Sequence, residues 1–134
     1  MNPTDLCPCN SHLSYSACCG RWHQQFTTEQ TLGAPNAEAL MRSRYSAYVL
    51  DQRPYLLATW HPSTRPDMLE PNEAGLQWLG LEIKTHQQQD DDHAIVGFVA
   101  RSKLAGRAHR MAEVSRFARE DGCWYYLNDG NGVS

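Results

Sequence analysis

The first nineteen residues contain four of the five cysteines in the chain, and this cluster constrains the fold more than any other feature. Cys7 and Cys9 form a C-x-C pair, and Cys18 and Cys19 form an adjacent pair after a short loop. Two close thiol pairs joined in this way can surround one ion, and Zn²⁺ in structural sites prefers such a closed tetrahedral set. The spacing therefore predicts a small zinc knob with these four thiolates as ligands.

Disulfide bonds, an iron–sulfur cluster or redox chemistry also use clustered cysteines. Residues 1–7 contain no apolar run of signal-peptide length, which argues against a secreted, disulfide-bonded chain. A bond between adjacent Cys18 and Cys19 would be strained, and such tight pairs suit a single ion better than an iron–sulfur cluster. Cys123 lies far away in a strand pattern, where a small packed residue is expected.

Two further features of the knob carry predictions. Asn10-Ser11 is predicted to form a turn, and Gly20 is predicted to free the backbone after the last thiol. We expect metal removal to unfold the knob and to leave the rest of the chain folded, because that part has an apolar core of its own.

Length and charge limit the remaining possibilities. A chain of 134 residues is one compact domain, or one domain with a small appendage. The net charge of −3 and a pI near 6.0 provide no global reason to expect nucleic-acid binding. No apolar stretch approaches membrane-spanning length, so we expect a soluble, cytoplasmic protein.

Helical patterns dominate the first half of the chain. Residues 21–35 mix apolar and polar residues without a clear pattern, and they are predicted to pack the knob onto the domain that follows. Asn36 is predicted to cap a helix whose apolar residues recur at helical spacing, namely Leu40, Met41, Tyr45, Tyr48 and Val49. Pro54 predicts the start of a shorter helix that runs through Trp60. The stretch beyond it is irregular, with a turn of helix expected at residues 67–69.

Strand patterns dominate the second half. Leu79, Leu81 and Ile83 alternate with polar residues or glycine, so one face of this strand is predicted to be buried. Residues 93–104 suggest a central strand, residues 107–119 a returning strand, and Asp121-Gly122 a tight hairpin before the last strand. Helices followed by an antiparallel meander predict an α+β fold in which a curved sheet covers the first helix. The core is expected to contain Leu40, Met41, Tyr45, Leu81, Ile83, Val96, Phe98, Val114 and Phe117.

Several short segments carry a resemblance to known families. They are Cys7-Pro8-Cys9, Cys18-Cys19-Gly20-Arg21, Leu40-Met41-Arg42-Ser43-Arg44-Tyr45, Thr59-Trp60-His61-Pro62, Trp78-Leu79-Gly80-Leu81, Phe98-Val99-Ala100-Arg101, Glu113-x-Ser115-Arg116-Phe117 and Trp124-Tyr125-Tyr126. The cysteine segment resembles the SEC-C motif, the zinc module at the C-terminus of the preprotein translocase ATPase SecA. The whole series resembles the YchJ family of bacterial proteins. This resemblance implies a SEC-C-like motif over residues 1–25 and a nuclear transport factor 2-like cone over residues 26–134.

The chain departs from the family pattern in two places. SEC-C loops usually carry several lysines between the cysteine pairs, whereas residues 10–17 contain none. The cationic loop surface that would favour phosphate is therefore missing. Many relatives also carry a second SEC-C motif, but no cysteine follows Cys123 here, so we expect no function that needs two knobs.

The resemblance to a cone fold also implies a pocket between the first helix and the concave face of the sheet. The polar and aromatic candidates for this pocket are Arg44, Tyr45, Trp60, His61, Trp78, Glu113 and Arg116. His61 and Glu113 would then act as base and acid, with Arg44 binding an anion. In the alternative interpretation Glu113 pairs with an arginine to join helix and sheet, and His61 caps a helix end. No residue is assigned a catalytic role.

Two classes of function follow from these features. The first is a non-catalytic interaction module that docks on a protein or ribonucleoprotein partner, and the second is a small-molecule binder or enzyme that uses the cone pocket. Binding of single-stranded RNA around the knob by His12, Tyr15, Arg21 and Trp22 is a weaker third possibility because the chain is acidic. The sequence favours the first class, because its clearest chemistry is a structural metal without an open ligand position.

Overall fold

The computed structural model describes residues 2–129, so Met1 and residues 130–134, including the predicted domain end at Ser134, lie outside it. A 3₁₀ turn, Tyr15–Ala17, precedes three helices, which are α1 Cys19–Glu29, α2 Ala37–Val49 and α3 Arg53–Ala58. Four strands follow, which are β1 Gln77–Asp90, β2 His93–Leu104, β3 Arg107–Glu120 and β4 Cys123–Asn128. The predicted order of helices before strands is confirmed, and the fold is α+β.

The strands form one antiparallel sheet in the order β1-β2-β3-β4. Both central residues of the β2–β3 turn, Ala105 and Gly106, have positive φ angles of 52° and 80°. Asp121 and Gly122 between β3 and β4 have φ angles of 53° and 81°. Positive φ at both positions matches the twist of two-residue hairpins, and the hairpin predicted at Asp121-Gly122 is confirmed.

A bulge changes which side of β1 is buried at its start. The register shifts between Trp78 and Gly80, so Leu79 is an extra residue without a partner on β2. Trp78 packs against Tyr45, and Leu81 is buried, whereas Leu79 is 53 % exposed. The prediction that Leu79 shares the buried face with Leu81 is therefore wrong, because an extra residue moves the side chain to the other face.

Helix α2 packs on the concave face of the sheet. Asn36 caps it as predicted, and its side chain accepts a hydrogen bond from the Ala39 amide at 2.8 Å. Most residues predicted to be core belong to one buried cluster formed by α2 and the sheet, and Ile83 is half-buried. Val114 was wrongly assigned to the core and is 47 % exposed, because it alternates with Glu113 and Ser115 and faces the other side of β3.

The segment before α2 contains a helix that the sequence did not predict. Helix α1 packs on α2 and on the 3₁₀ turn, and its buried residues are Cys19, Gly20 and His23. The shorter helix α3 ends at Ala58, two residues before the predicted end at Trp60. Residues 67–69 form no helical turn, so that prediction is wrong. No helix in residues 2–129 combines the length and apolar character that a membrane crossing needs.

Candidate metal centre and cavity

The N-terminal loop brings the two cysteine pairs together through a small hairpin-like turn. Leu6 and Ser14 form an isolated antiparallel bridge, and the Cys7 amide donates to the Leu13 carbonyl at 2.8 Å. Asn10 and His12 adopt positive φ angles of 64° and 69°, which reverse the chain between the two pairs. The predicted turn at Asn10-Ser11 is therefore confirmed.

The four cysteine sulfurs form one compact buried cluster. The Sγ atoms of Cys7, Cys9, Cys18 and Cys19 all lie within 4.8 Å of one another, and each residue is at most 7 % exposed. Cys9 and Cys18 are 3.6 Å apart at sulfur, and Cys18 and Cys19 are 3.9 Å apart. A tetrahedral ion with metal–sulfur bonds of about 2.3 Å separates its sulfurs by about 3.8 Å. The cluster can therefore hold one metal ion, and all five cysteines are free thiols.

Hydrogen bonds between the sulfurs make the protonation of each thiol depend on its neighbours. A hydrogen bond from Cys19, with a second from Cys9, lowers the pKa of Cys7. The matching hydrogen bond to Cys7 raises the pKa of Cys19, and burial raises the pKa of Cys18. Four thiolates cannot coexist in so small a buried volume without a cation, and a metal ion at the centre removes this conflict because it deprotonates its thiol ligands.

Polar groups from the loop and from α2 surround the sulfur cluster. The Ser11 hydroxyl donates to Cys18 Sγ at 3.1 Å, and the Ser46 hydroxyl lies 3.5 Å from Cys7 Sγ. Arg42 Nη1 donates to the Cys9 carbonyl at 2.9 Å and lies 3.7 Å from Cys9 Sγ. These contacts place hydrogen-bond donors and one cation where thiolate charge would accumulate, as in the outer shell of metal sites.

A buried polar network attaches the knob to the helices. The His23 ring lies between the Tyr15 hydroxyl, 2.5 Å from Nδ1, and the Ser43 carbonyl, 2.8 Å from Nε2. The Ser43 hydroxyl in turn contacts the Tyr55 hydroxyl at 2.7 Å. Gly20 fits here because a Cβ would lie 2.6 Å from the Tyr15 carbonyl oxygen. Its role is close packing within α1, which corrects the prediction that it frees the backbone.

The knob shares its interior with the rest of the chain. The four cysteines belong to the same cluster of buried residues as Leu40 of α2, Leu81 of β1 and Phe117 of β3. The Asn10 side chain also approaches Gly80, where a Cβ would lie 2.7 Å from its amide nitrogen. The sulfur cluster is therefore part of the main core and does not form a separate unit at the surface.

A second candidate site is a cavity of about 370 Å³ between α2 and the sheet. Helix α2 contributes residues at positions i, i+3, i+4 and i+7, which share one helix face. The strands contribute residues that alternate along β2 and β3 and so share the concave face. The lining residues are Met41, Arg44, Tyr45, Tyr48, Asn72, Trp78, Phe98, Ala100, Met111, Glu113, Ser115 and Tyr126.

Arg44 is the one guanidinium among these lining residues, and it is 3 % exposed. Its Nη1 donates to the Leu56 carbonyl at 2.8 Å and to Thr59 Oγ1 at 2.7 Å, at the C-terminal end of α3. The guanidinium also lies over the rings of Trp60 and Tyr126, 5.1 and 4.5 Å from their centroids. Burial lowers its pKa, and nearby tyrosines oppose that effect.

Glu113 lines the same cavity from β3 and is half-buried. Burial, and then the charge of Asp129, raise the pKa of its carboxyl group. Among residues 2–129, no arginine or lysine nitrogen forms an ion pair with Glu113. The alternative interpretation, in which Glu113 pairs with an arginine to join helix and sheet, is therefore wrong for residues 2–129.

Tyr45 and Trp78 from the predicted set also line the cavity, but three other members do not. Trp60 lies behind Arg44 and pairs with Tyr126 of β4. His61 Nε2 lies 2.6 Å from Glu120 at the surface, so His61 and Glu113 are not assembled as an acid–base pair. Arg116 is exposed because it alternates with Ser115 and Phe117, which are buried.

The sequence did not predict that several other residues line the cavity, notably Met41, Tyr48, Ser115 and Tyr126. Met41 and Tyr48 are three residues before and four after Arg44, which is the spacing of one helix face. Ser115 is two residues after Glu113, which is the spacing of one strand face. The periodicity around the two charged residues was thus the signal that could have identified these neighbours.

Comparison with known families agrees with this architecture. The model of the family described as YchJ, middle NTF2-like domain, matches residues 36–129. The chain belongs to the YchJ family. A SEC-C motif model matches residues 4–21, which include all four clustered cysteines. The nuclear transport factor 2-like cone expected from the resemblance is thereby confirmed for the part of the chain that packs α2 against the sheet.

Relatives of this YchJ family protein cover most of its length. A UPF0225 protein from Bordetella pertussis is 60 % identical, covering 91 % of this chain and 90 % of the relative. The solution structure of a SEC-C motif containing protein from Rhodopseudomonas palustris has a TM-score of 0.78 at 30 % identity, covering 91 % and 94 % of the two chains. The crystal structure of a SEC-C motif containing protein from Psychrobacter arcticus has a TM-score of 0.81 at 28 % identity, covering 98 % and 85 %.

Proposed function

We propose that this YchJ family protein is a non-catalytic interaction module, in which Zn²⁺ organises the N-terminal knob and a basic β-hairpin docks on the RNA phosphates of a ribonucleoprotein. The observation that carries the docking proposal is the charge and register of the β2–β3 hairpin. That none of the five cysteines forms a disulfide bond within residues 2–129 supports action in the reducing cytoplasm.

Four sulfur donors support zinc as the ion and a structural role for it. Closed sets of four cysteine ligands are typical of structural Zn²⁺, whereas catalytic zinc keeps one position open for water or substrate. The buried positions of Cys7, Cys9, Cys18 and Cys19 leave little access for a substrate. A zinc ion with four thiolates carries a net charge of −2, and the Arg42 guanidinium beside Cys9 offsets part of that charge.

The basic arm, defined as residues 101–110, contrasts with the acidic character of the whole chain. It contains Arg101, Lys103, Arg107 and Arg110, whereas the chain carries a net charge of −3. No aspartate or glutamate occurs in residues 101–112. The global charge argued against nucleic acid, but a local positive patch is sufficient to attract phosphate groups.

The register of the basic arm holds like charges together. Arg101 lies directly opposite Arg110 across the β2–β3 pair, and like charges in such pairs destabilise a sheet. In residues 2–129 only Arg101 of the four arm cations lies within 4.0 Å of a carboxylate, at 3.7 Å from Glu82. Planar guanidinium groups match phosphate oxygens in a bidentate geometry. An RNA backbone would therefore relieve the repulsion that folding builds into the arm.

Binding to a mixed-sequence single-stranded RNA of about 20 nucleotides tests this proposal. Two phosphate contacts contribute about −1.4 to the slope of log K against log salt. We expect the variant Arg107→Gln/Arg110→Gln to lose that share of the slope. The matched variant Arg53→Gln/Lys84→Gln removes the same charge from exposed pairs elsewhere and should bind RNA as the unaltered protein does.

Two outcomes would overturn the docking proposal. The first is an equal loss of RNA affinity in both double variants, because this would reflect net charge alone. The second is binding of an acidic peptide but not of RNA at low salt, because this would identify an acidic protein surface as the partner. In either case the assignment of Zn²⁺ would stand, since it depends on the cysteine cluster and not on the basic arm.

A further inference from the structure

The cavity between α2 and the sheet contains a buried cation, Arg44, whose contacts within residues 2–129 are to neutral groups. The two hydrogen bonds from Arg44 Nη1 go to a carbonyl and a hydroxyl, and the two ring contacts are with Trp60 and Tyr126. Among residues 2–129, no carboxylate forms an ion pair with this guanidinium. A buried charge without a counterion is costly, so an anion that enters the cavity gains an unusually favourable partner.

The walls of the cavity are mostly aromatic. Tyr45 and Tyr48 face it from α2, and Trp78, Phe98 and Tyr126 face it from the sheet. The volume of about 370 Å³ lies at the small end of the range for small-molecule sites, roughly 300–1,000 Å³. Flat rings on both sides favour a flat, apolar ligand body, because aromatic groups stack or meet edge to face.

The polar groups limit how much negative charge the ligand can carry. Arg44 is the one cation among the lining residues, and Glu113 adds a carboxyl group to the lining of the same cavity. A phosphate group usually requires several donors and would bring a second negative charge toward Glu113. A single carboxylate needs only one guanidinium, which it can contact through two parallel hydrogen bonds.

We propose that this cavity binds a small aromatic carboxylate, whose anionic group contacts Arg44 and whose ring packs between α2 and the sheet. The site is separate from the metal centre and from the basic arm, and it does not depend on docking. Arg44 would orient the ligand, and the rings would exclude water from it. Glu113 would disfavour ligands that carry more than one negative charge.

Titration of the zinc-loaded full chain with benzoate, followed by backbone amide NMR, tests the site. We expect saturable shifts for residues of α2, β2 and β3 around the cavity, with a dissociation constant on the order of 1 mM for so small a probe. Benzamide has the same shape without the charge and should bind at least about tenfold more weakly. Benzyl phosphate should also bind more weakly than benzoate, because of Glu113.

Three variants assign the binding to the cavity. Ala100→Phe fills the cavity and should abolish the benzoate shifts, whereas Ala112→Phe places the same side chain on the exposed outer face of the adjacent strand and should leave them unchanged. Glu113→Gln should strengthen benzoate binding about threefold, because it removes the nearby negative charge. This last variant remains informative even if Ala100→Phe fails to fold.

The proposal would be overturned by benzamide binding as well as benzoate, or by the absence of saturable benzoate shifts up to about ten times the expected dissociation constant. An equal loss of binding in Ala100→Phe and Ala112→Phe would also contradict it, since that result places benzoate outside the cavity. Unchanged benzoate affinity in Glu113→Gln would remove Glu113 from the site and with it the argument for a monoanion.

Discussion

Arg42 of α2 donates a hydrogen bond to the carbonyl of Cys9, which lies 33 residues earlier in the chain, over a distance of 2.9 Å. The same guanidinium contacts Glu38 at 3.1 Å, and Glu38 lies 3.7 Å from His86 of β1. The sulfur cluster is thus linked through Arg42 to α2 and, through Glu38, to β1. Changes at the cysteines should therefore alter the stability of α2 and of the sheet.

Loss of the metal should destabilise the whole chain and not only the knob. We expect Cys9→Ser to abolish binding of one zinc ion and to increase amide hydrogen exchange in α2 and β2, because the cysteines share a core with both elements. Apparent binding energies of structural zinc are about 10–16 kcal/mol, which is comparable to the whole stability of a small domain, about 5–15 kcal/mol. Elemental analysis and hydrogen-exchange NMR measure the two effects.

Cys123→Ser is the matched control for the metal prediction, because Cys123 lies outside the sulfur cluster. It should retain zinc and the exchange pattern of the unaltered protein. Faster exchange confined to the knob in Cys9→Ser would contradict the new expectation and would support the one that the sequence alone suggested, in which the body survives metal loss.

Arg42 should tune the affinity of the site for zinc. The variant Arg42→Gln removes the cation beside Cys9, and outer-shell changes of this kind typically weaken metal binding about 10–100-fold. Competition with a chelator of known affinity provides the measurement. Arg53→Gln removes a cation from a half-exposed pair with Asp51 and should leave the zinc affinity unchanged, so an equal effect of both variants would refute the specific role of Arg42.

An exposed histidine gains a proton as the pH falls. His23 in the folded protein should gain its proton only at a lower pH. Burial lowers its pKa from the ordinary value of 6.5. Because the Ser43 carbonyl can only accept, Nε2 carries the hydrogen and Nδ1 accepts from Tyr15. Ring-nitrogen NMR, assigned with His23→Gln, should detect this tautomer and a titration below pH 6.5; a ring that titrates at or above that value would contradict the burial argument.

The lowered pKa of His23 also has a defined sign for stability. The unfolded chain binds the proton more readily than the folded one. His23 therefore makes its full contribution to the free energy of unfolding above about pH 6.5, and this contribution falls as the pH drops below that value. Urea denaturation of zinc-loaded protein between about pH 7 and pH 6 should show this decrease. The decrease should be smaller in His23→Gln, which cannot titrate at this position.

Removing one charge of the Arg101–Arg110 pair should stabilise the sheet while it weakens RNA binding. We expect Arg110→Thr to raise the free energy of unfolding by roughly 0.2–1 kcal/mol at low salt, because like charges no longer face each other. The gain should shrink at high salt as the repulsion is screened. Chemical denaturation at two salt concentrations measures it, and a loss of stability at low salt would show that the arm is not strained by its charges.

Local patterns were sufficient to predict much of the fold. The spacing of Leu40, Met41 and Tyr45 predicted α2, and Asn36 predicted its start. The Asp121-Gly122 dipeptide predicted the last hairpin. Helix α1 was missed because no side chain caps its start and because its buried residues are Cys19, Gly20 and His23, of which His23 is held by Tyr15 and Ser43 from other elements. A histidine that is buried through tertiary hydrogen bonds contributes no apolar periodicity to the sequence.

The candidate sites divide in the same way. The cysteine spacing predicted the sulfur cluster, because ligands of one ion must come close together and a short loop permits this. The cavity required tertiary information, since Arg44 and Glu113 lie on different elements. Their shared site depends on how α2 crosses the sheet. His61 lies apart from them because residues 59–61 pair with β4.

The sequence by itself determined that helices precede strands, where the last hairpin turns and which four cysteines cluster, because these depend mainly on residues that are close in the chain. Only the tertiary structure decided that the knob shares the main core and that Leu79 and Val114 face outward. It also decided that Arg101 faces Arg110. These features depend on strand register, on bulges and on packing between distant residues, and a shift of one residue in register moves every side chain to the opposite face.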